Sequence, residues 1–327
     1  MFNKKINLNL TLIIPLKDNF FLMRKNLQQM KYWSKLPKEL IIVDSSKKKF
    51  SLQYSFLIFC KKKRIRVLII HKKNLFPGKS RNIGIKKAKN SILAFLDVNT
   101  VPNNQWLEES FNLLIKSSLQ IIWGSTKYIA NFSKKNILAA TYGFKPIQTL
   151  PGTVVYKNIF EITGLFLENI RAGEDGDWKS RVILHNLTST VNKNYLTYKF
   201  KNDHIYSRLL KKWYRNYIYS AKLPFFAVHK NIYYYFIMLF LLLFSLTWNP
   251  YFAKTHEHGF FIPHLAKGSL LLIIIFYIII RSIYFPLKKG MSFLSLFPFN
   301  FIKILIFSFL IDIVKTFAFV KARMNFK

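Results

Sequence analysis

Pro77-Gly78-Lys79-Ser80-Arg81-Asn82-Ile83-Gly84-Ile85, followed by Ile92-Leu93-Ala94-Phe95-Leu96-Asp97-Val98-Asn99, sets a short helix ahead of an apolar strand that ends on a carboxylate. The Pro-Gly start suits a helix amino terminus. An unbroken apolar run of this length suits a strand buried on both faces. Runs of the same kind precede it at Leu10 to Ile14, Leu40 to Val43 and Ile65 to Ile70. Between the first two of these, Phe20, Met23, Leu27, Met30 and Trp33 recur at helical spacing, which predicts an amphipathic helix. Strands alternating with helices predict an α/β domain with a doubly wound, mostly parallel sheet flanked by helices. Such sheets hold ligands outside the carboxyl ends of their strands. Asp44 closes Leu40 to Val43 and Asp97 closes Ile92 to Leu96, so both are expected at one crevice.

Scarcity gives the acids weight. The chain carries 51 basic residues against 14 acidic ones, a formal charge of +37, yet Gly173-Glu174-Asp175-Gly176-Asp177-Trp178 gathers acids in one short stretch. That stretch suits the first turn of a helix, where acids favour the dipole, and equally suits a site. The positive field favours acidic headgroups or phosphate-bearing ligands. AT-rich codons for Lys, Asn, Ile and Phe account for part of the excess. No nucleic-acid motif accompanies the charge, so no nucleic-acid partner is expected. Cys60 stands alone, which excludes an intrachain disulfide and a Cys-based zinc site. Gly78-Lys79-Ser80 imitates the end of a phosphate loop, but Lys73 occupies the position where that loop requires glycine. No Gly-x-Gly-x-x-Gly follows the first strand either. The run Ile6 to Ile14 contains Asn7 and Asn9 and stops at Pro15 without a cleavage site, so it reads as a strand.

From about residue 230 the chain turns strongly apolar. We expect a water-facing domain over 1–225 and a membrane domain over 226–327, with spans at about 232–248 and 268–285. Arg281 would snorkel from the end of the second span. The segment 301–320 is interrupted by Lys303, Asp312 and Lys315 and reads as an interfacial helix or a third membrane helix. Residues 249–267 carry fewer Lys and Arg than the flanks beyond the spans, which places the first domain in the cytoplasm and the chain, multi-pass, in the inner membrane among its lipids.

Ile14-Pro15, Ile41-Ile42-Val43-Asp44-Ser45-Ser46, Ser80-Arg81-Asn82-x-Gly84-Ile85 with Ala88, Phe95-Leu96-Asp97-Val98-Asn99 and Gly173-Glu174-Asp175 stand in an order and spacing that resemble family 2 glycosyltransferases. The resemblance covers roughly residues 8–220. It implies a GT-A fold that takes a nucleotide-diphosphate sugar and inverts the anomeric carbon. On it, Pro15, Asp44, Lys79, Arg81, Asp97 and Asn99 bind the donor. Asp44 corresponds to the acid at the nucleobase, and Asp97 to the first acid of an Asp-x-Asp motif beside the ribose and metal-bound diphosphate. Lys79 and Arg81 would neutralise the leaving diphosphate. The implied cofactor is a divalent cation, Mg²⁺ or Mn²⁺, with Asp97, Asn99 and His204 as ligands and His185 as a competitor to His204. Asn99 departs from the motif, since an amide oxygen is a weaker ligand for these ions than a carboxylate.

Glu174-Asp175 resembles the catalytic acidic pair, with Asp175 as the base that takes the acceptor hydroxyl proton. Gly152, Thr153 and Trp178 fall on the acceptor side of the resemblance, Trp178 either stacking on a sugar or filling core. A membrane anchor suggests a lipid-linked or glycan acceptor in cell-envelope polysaccharide synthesis. The alternative is a non-catalytic membrane protein of the same fold that binds nucleotide sugar or glycan.

Overall fold

The structure, a computed structural model, describes residues 7–131, 134–200, 205–223, 231–248 and 264–324. In chain order the elements are β1 (Leu8–Leu16), α1 (Phe20–Met30), β2 (Pro37–Asp44), α2 (Tyr54–Lys62), β3 (Arg66–His71), α3 (Pro77–Lys87), β4 (Ile92–Phe95), α4 (Trp106–Lys116) and β5 (Ile121–Ile129). They continue with α5 (Lys135–Ala140), β6 (Ile147–Tyr156), α6 (Ile159–Thr163), α7 (Glu174–Leu184), β7 (Ser189–Val191) and β8 (Leu196–Lys199). Among the described residues after these come helices only: α8 (Ile205–Ser220), α9 (Asn231–Trp248), α10 (His264–Ile279), α11 (Phe285–Lys288), α12 (Phe293–Leu296) and α13 (Asn300–Met324). Chain contacts divide the molecule into one unit of residues 1–129 and 145–200 and another of 130–144 and 201–327. The boundary expected at residue 225 falls inside the second unit.

The first unit is an eight-stranded mixed sheet in the order β3-β2-β1-β4-β6-β5-β7, with β8 paired to β5. β3, β2, β1 and β4 run parallel. β6 lies antiparallel between β4 and β5, and β7 and β8 run parallel to β5. The expected mostly parallel sheet flanked by helices is therefore present.

Alternation along β1 explains the two cores. Leu10, Leu12 and Ile14 pack on one face with Met23, Leu27, Trp33, Phe56, Trp106 and Leu114. Ile13 points to the other face, with Ile85, Phe95, Phe160, Phe166, Trp178 and Val182. Because both faces are covered, the central strands show no polar alternation. On the first face Trp33 meets Trp106 edge-on at 5.5 Å.

Close packing of α3 on β1 depends on Gly84: a Cβ there would come within 2.5 Å of Ile13 Cγ2. The helix therefore lies low enough to bring Arg81 to the carboxyl end of β4.

In the second unit, Ala139 and Ala140 of α5 pack with Met291, Leu296 and Ile304. Tyr206 of α8 stacks on Phe307 of α13 with ring centroids 4.6 Å apart. The expected segments 232–248 and 301–320 fall in α9 and α13. Among the described residues, one helix is long and apolar enough to cross a membrane, the 21-residue stretch Gly268–Lys288, which runs through α10, a π-helical turn and α11.

Candidate active site

At the carboxyl ends of the parallel strands the side chains form a hydrogen-bonded series. Asp44, the last residue of β2, is fully buried. Its Oδ2 accepts from the Phe50 amide at 2.7 Å and pairs with His71 Nδ1 at 2.9 Å, while Oδ1 accepts from the Ser46 amide at 3.0 Å. Burial alone would raise the Asp44 pKa, but the Ser46, Phe50 and His71 hydrogen bonds outweigh it and hold the carboxyl below its ordinary range. Asp44 thus shapes the loop after β2, and its oxygens face protein donors. From there the Asp18 amide donates to Ser46 Oγ at 2.7 Å, and Asn19 Nδ2 donates to Asn99 Oδ1 at 2.8 Å. Asn26 on α1 fixes the loop that carries Asn99 by donating to the Val98 and Thr100 carbonyls.

Arg81 is the centre of the arrangement. It is buried, and it reaches two acids: Nη2 donates to Asp97 Oδ1 at 3.0 Å and Nη1 to Glu174 Oε1 at 2.7 Å. Burial disfavours its charge, yet Asp97, Glu174 and Asp175 together raise the guanidinium pKa. Glu174, almost wholly buried, moves the other way from a simple ion pair. Burial pushes its carboxyl up, Arg81 pulls it down, Asp175 adds repulsion, and the balance stands at about 7. One guanidinium shared among three acids does not neutralise all of them, which fits the raised value of the buried Glu174. Asp97 remains partly exposed with Oδ2 free of that pair.

Asp175 is exposed beside Glu174 at the amino terminus of α7, where Oδ1 accepts from the Gly176 amide at 2.9 Å. Asp177 faces away, tied to Arg181 at 2.8 Å. Arg181 also donates to the Thr163 and Leu165 carbonyls, which fastens the loop before α7 to the helix. Asn82 does the same from α3: its amide donates to the Phe166 carbonyl at 2.8 Å and accepts from the Phe166 amide at 3.0 Å. The Arg-Asn-x-Gly run is thus largely a joint between β1, β4 and α7.

The other expected site residues lie as follows. Arg81 has both terminal nitrogens paired with acids, so it positions carboxylates, and its buried Nε is left without a partner among the described residues. Lys79 stays near the surface with its ammonium 3.4 Å from Glu168. Trp178 is fully buried, stacked on Phe160 at 5.0 Å between Phe166 and Trp123, with its indole N–H donating to Thr163 Oγ1. Trp178 therefore fills core, the second of its two expected roles. Thr153 is fully buried, and its hydroxyl accepts from the Gly124 amide and donates to the Thr149 carbonyl. Gly152 sits at φ +89° in the bulge where β6 passes β5, and a Cβ there would meet Leu196 Cδ1 at 2.5 Å. Both shape the sheet and neither presents a group to an acceptor. His185 caps the far end of α7 from Glu174. Pro15 lies in β1 opposite Val43, partly buried. His204 lies outside the described residues.

Among the described residues, no three His, Cys, Asp or Glu side chains gather closely enough to hold a metal alone. The Asn99 amide oxygen is taken by Asn19. What remains is Asp97, whose outer oxygen suits an ion held mainly by ligand phosphates and water. Sequence reading missed Asp18, Asn19 and Glu168. Asp18 was legible, since it follows the first strand by two residues at the same sheet edge as Asp44 and Asp97.

Comparison with known proteins agrees with this geometry. Residues 11–167 match the family described as glycosyl transferase family 2. An uncharacterized glycosyltransferase of Rickettsia bellii is 29% identical over 174 residues, covering 50% of this chain and 24% of the relative. Another, of Rickettsia felis, is 33% identical over 127 residues, covering 36% of this chain and 21% of the relative. The chain therefore spans less than a quarter of the length of the curated relatives it matches. The mannosyltransferase PcManGT of Pyrobaculum calidifontis, solved with GDP-Man and Mn²⁺, superposes with a TM-score of 0.51 at 10% identity, covering 99% of this chain and 89% of that one. Over residues 11–167, this chain is therefore similar to glycosyl transferase family 2, and its fold is GT-A.

Proposed function

We propose that this protein transfers a sugar from a nucleotide-diphosphate donor to an acceptor hydroxyl with inversion at the anomeric carbon. The observation that carries the reading is the Asp97–Arg81–Glu174 bridge, which fixes two acids from distant parts of the chain at one sheet edge beside the exposed Asp175. Asp175 takes the acceptor proton as that oxygen bonds to the anomeric carbon, and the bond from that carbon to the diphosphate oxygen breaks. Glu174, held by Arg81, stabilises the position of Asp175 and keeps its own proton near neutral pH. Lys79, near the surface, offers a cation to the leaving diphosphate. A divalent ion held by Asp97 and the donor phosphates would neutralise further charge on that leaving group.

The apolar, outward-facing helix Gly268–Lys288 supports attachment to the cytoplasmic face of the inner membrane, and with it a lipid-linked or surface-polysaccharide acceptor. A second reading, nucleotide-sugar binding without turnover, is favoured by one observation: Asn99 stands where the motif calls for acid, and its amide is spent on Asn19. Release of nucleotide from a panel of donors beginning with GDP-Man, with and without Mn²⁺, separates the two. Turnover supports transfer, and saturable donor binding without nucleotide release supports the second reading.

A further inference from the structure

The second unit holds a charged cluster that sugar transfer leaves unused. Asp312 on α13 is fully buried. Tyr277 donates its hydroxyl to Oδ2 at 3.0 Å and Arg281 Nη2 donates to Oδ1 at 2.9 Å. Lys315, one turn on, brings its ammonium to 3.8 Å from Oδ1. Lys289 completes the group: its ammonium and the Arg281 guanidinium lie 5.7 and 5.8 Å from the centroid of the same Phe285 ring. Among the described residues, three cations thus share one carboxylate.

The neutral partners offset only part of that imbalance. The Lys315 ammonium rests 4.5 Å from the centre of the Trp213 ring and 5.1 Å from that of Tyr217, and Lys289 donates to the Thr141 carbonyl at 2.5 Å. Cation–π contacts of this kind recover only part of what it costs to take each ion out of water. Arg281 and Lys315 expose only 11% and 13% of their side chains, so water does not screen them well. Two donors nearby are also unused. The buried Trp213 indole N–H, under Lys315, has no acceptor, and the hydroxyl of Ser308, one turn before Asp312, is buried without a partner. Excess positive charge together with idle N–H and O–H donors calls for an oxygen-rich anion. A guanidinium oriented by Asp312 and two ammonium groups suit phosphate in particular.

We infer that Arg281, Lys289 and Lys315, with Trp213 and Ser308, form a binding site for a phosphate-bearing anion, either the headgroup of an acidic lipid or a free phosphate. The inference does not depend on sugar transfer, because binding requires no donor. The test is calorimetric titration of the full chain in detergent with dioctanoyl phosphatidic acid, zwitterionic dioctanoyl phosphatidylcholine and inorganic phosphate. Binding of phosphatidic acid at least about tenfold tighter than phosphatidylcholine, with inorganic phosphate inert, identifies a lipid headgroup. Comparable binding of inorganic phosphate identifies a free anion. Lys289→Met and Lys315→Met should each weaken binding by about tenfold or more. Lys303→Met, which removes the same charge from an exposed position on α13, should leave it within about twofold. Absence of inorganic phosphate binding by the wild type, together with phosphatidic acid binding no tighter than phosphatidylcholine, overturns the site, as does equal weakening by all three variants. If one lysine variant loses its near-ultraviolet circular dichroism, the wild-type titration and the other variant decide.

Discussion

Arg81 carries more of the site than any other residue. Replacing it by Met removes the buried donor that holds both Asp97 and Glu174, so we expect Arg81→Met to destabilise the fold by about 3 kcal/mol, read as a fall in thermal midpoint. The Glu174→Gln, Arg81→Met pair should lose less than the sum of the single variants, because each single change already breaks the one hydrogen bond the two residues share. Glu174 also sets a pH dependence. Folded, it holds its proton up to about 7, against an ordinary value of 4.5, so the folded state is the better proton binder between those values. That contribution to stability is fully present below about pH 4.5 and is lost as pH rises through about 7, on the order of 3 kcal/mol in all. Glu174→Gln should flatten the denaturation midpoint over that window, whereas an unchanged slope would place the titration elsewhere. Asp44 acts in the opposite sense. Its carboxyl is held below its ordinary range, so its contribution is present above about pH 3.8 and lost as pH falls further.

At the scale of elements, α3 is the piece that must sit correctly. Gly84→Ala should push it off β1 through Ile13 Cγ2 and cost about 1–3 kcal/mol, and Ile13→Ala in the same chain should recover part of that loss. The strands were legible in the sequence because β1, β2 and β4 are covered on both faces and so read as plain apolar runs. The α3 turn was legible through Pro77-Gly78. The partner of Arg81 was not: Glu174 lies 93 residues further on, and nothing local to either residue announces the pair. Trp178 and Thr153 misled for a related reason. Their residue types suit a sugar, but burial decides their role, and burial is set by Phe160, Phe166 and Trp123 from other elements. Residues 130–144 likewise carry no local sign of belonging with the C-terminal helices.

For the whole molecule, the proposed sugar transfer goes with a proposed membrane attachment. Leu272 and Phe276 face outward on the helix Gly268–Lys288, so replacing both with Lys should put charge where acyl chains lie, at about 2.5–3.5 kcal/mol each. We expect that variant to leave the membrane fraction on alkaline washing while the wild type stays; equal release of both would remove the helix from its anchoring role. The central claim rests on the acids at the sheet edge and is tested most directly by nucleotide release from a donor sugar in the presence of acceptor, comparing wild type with Asp175→Asn. The account predicts turnover by the wild type and a loss of about a hundredfold or more in kcat for Asp175→Asn, with donor affinity within about threefold. Undiminished turnover by Asp175→Asn, or no release from any donor by the wild type, would contradict it.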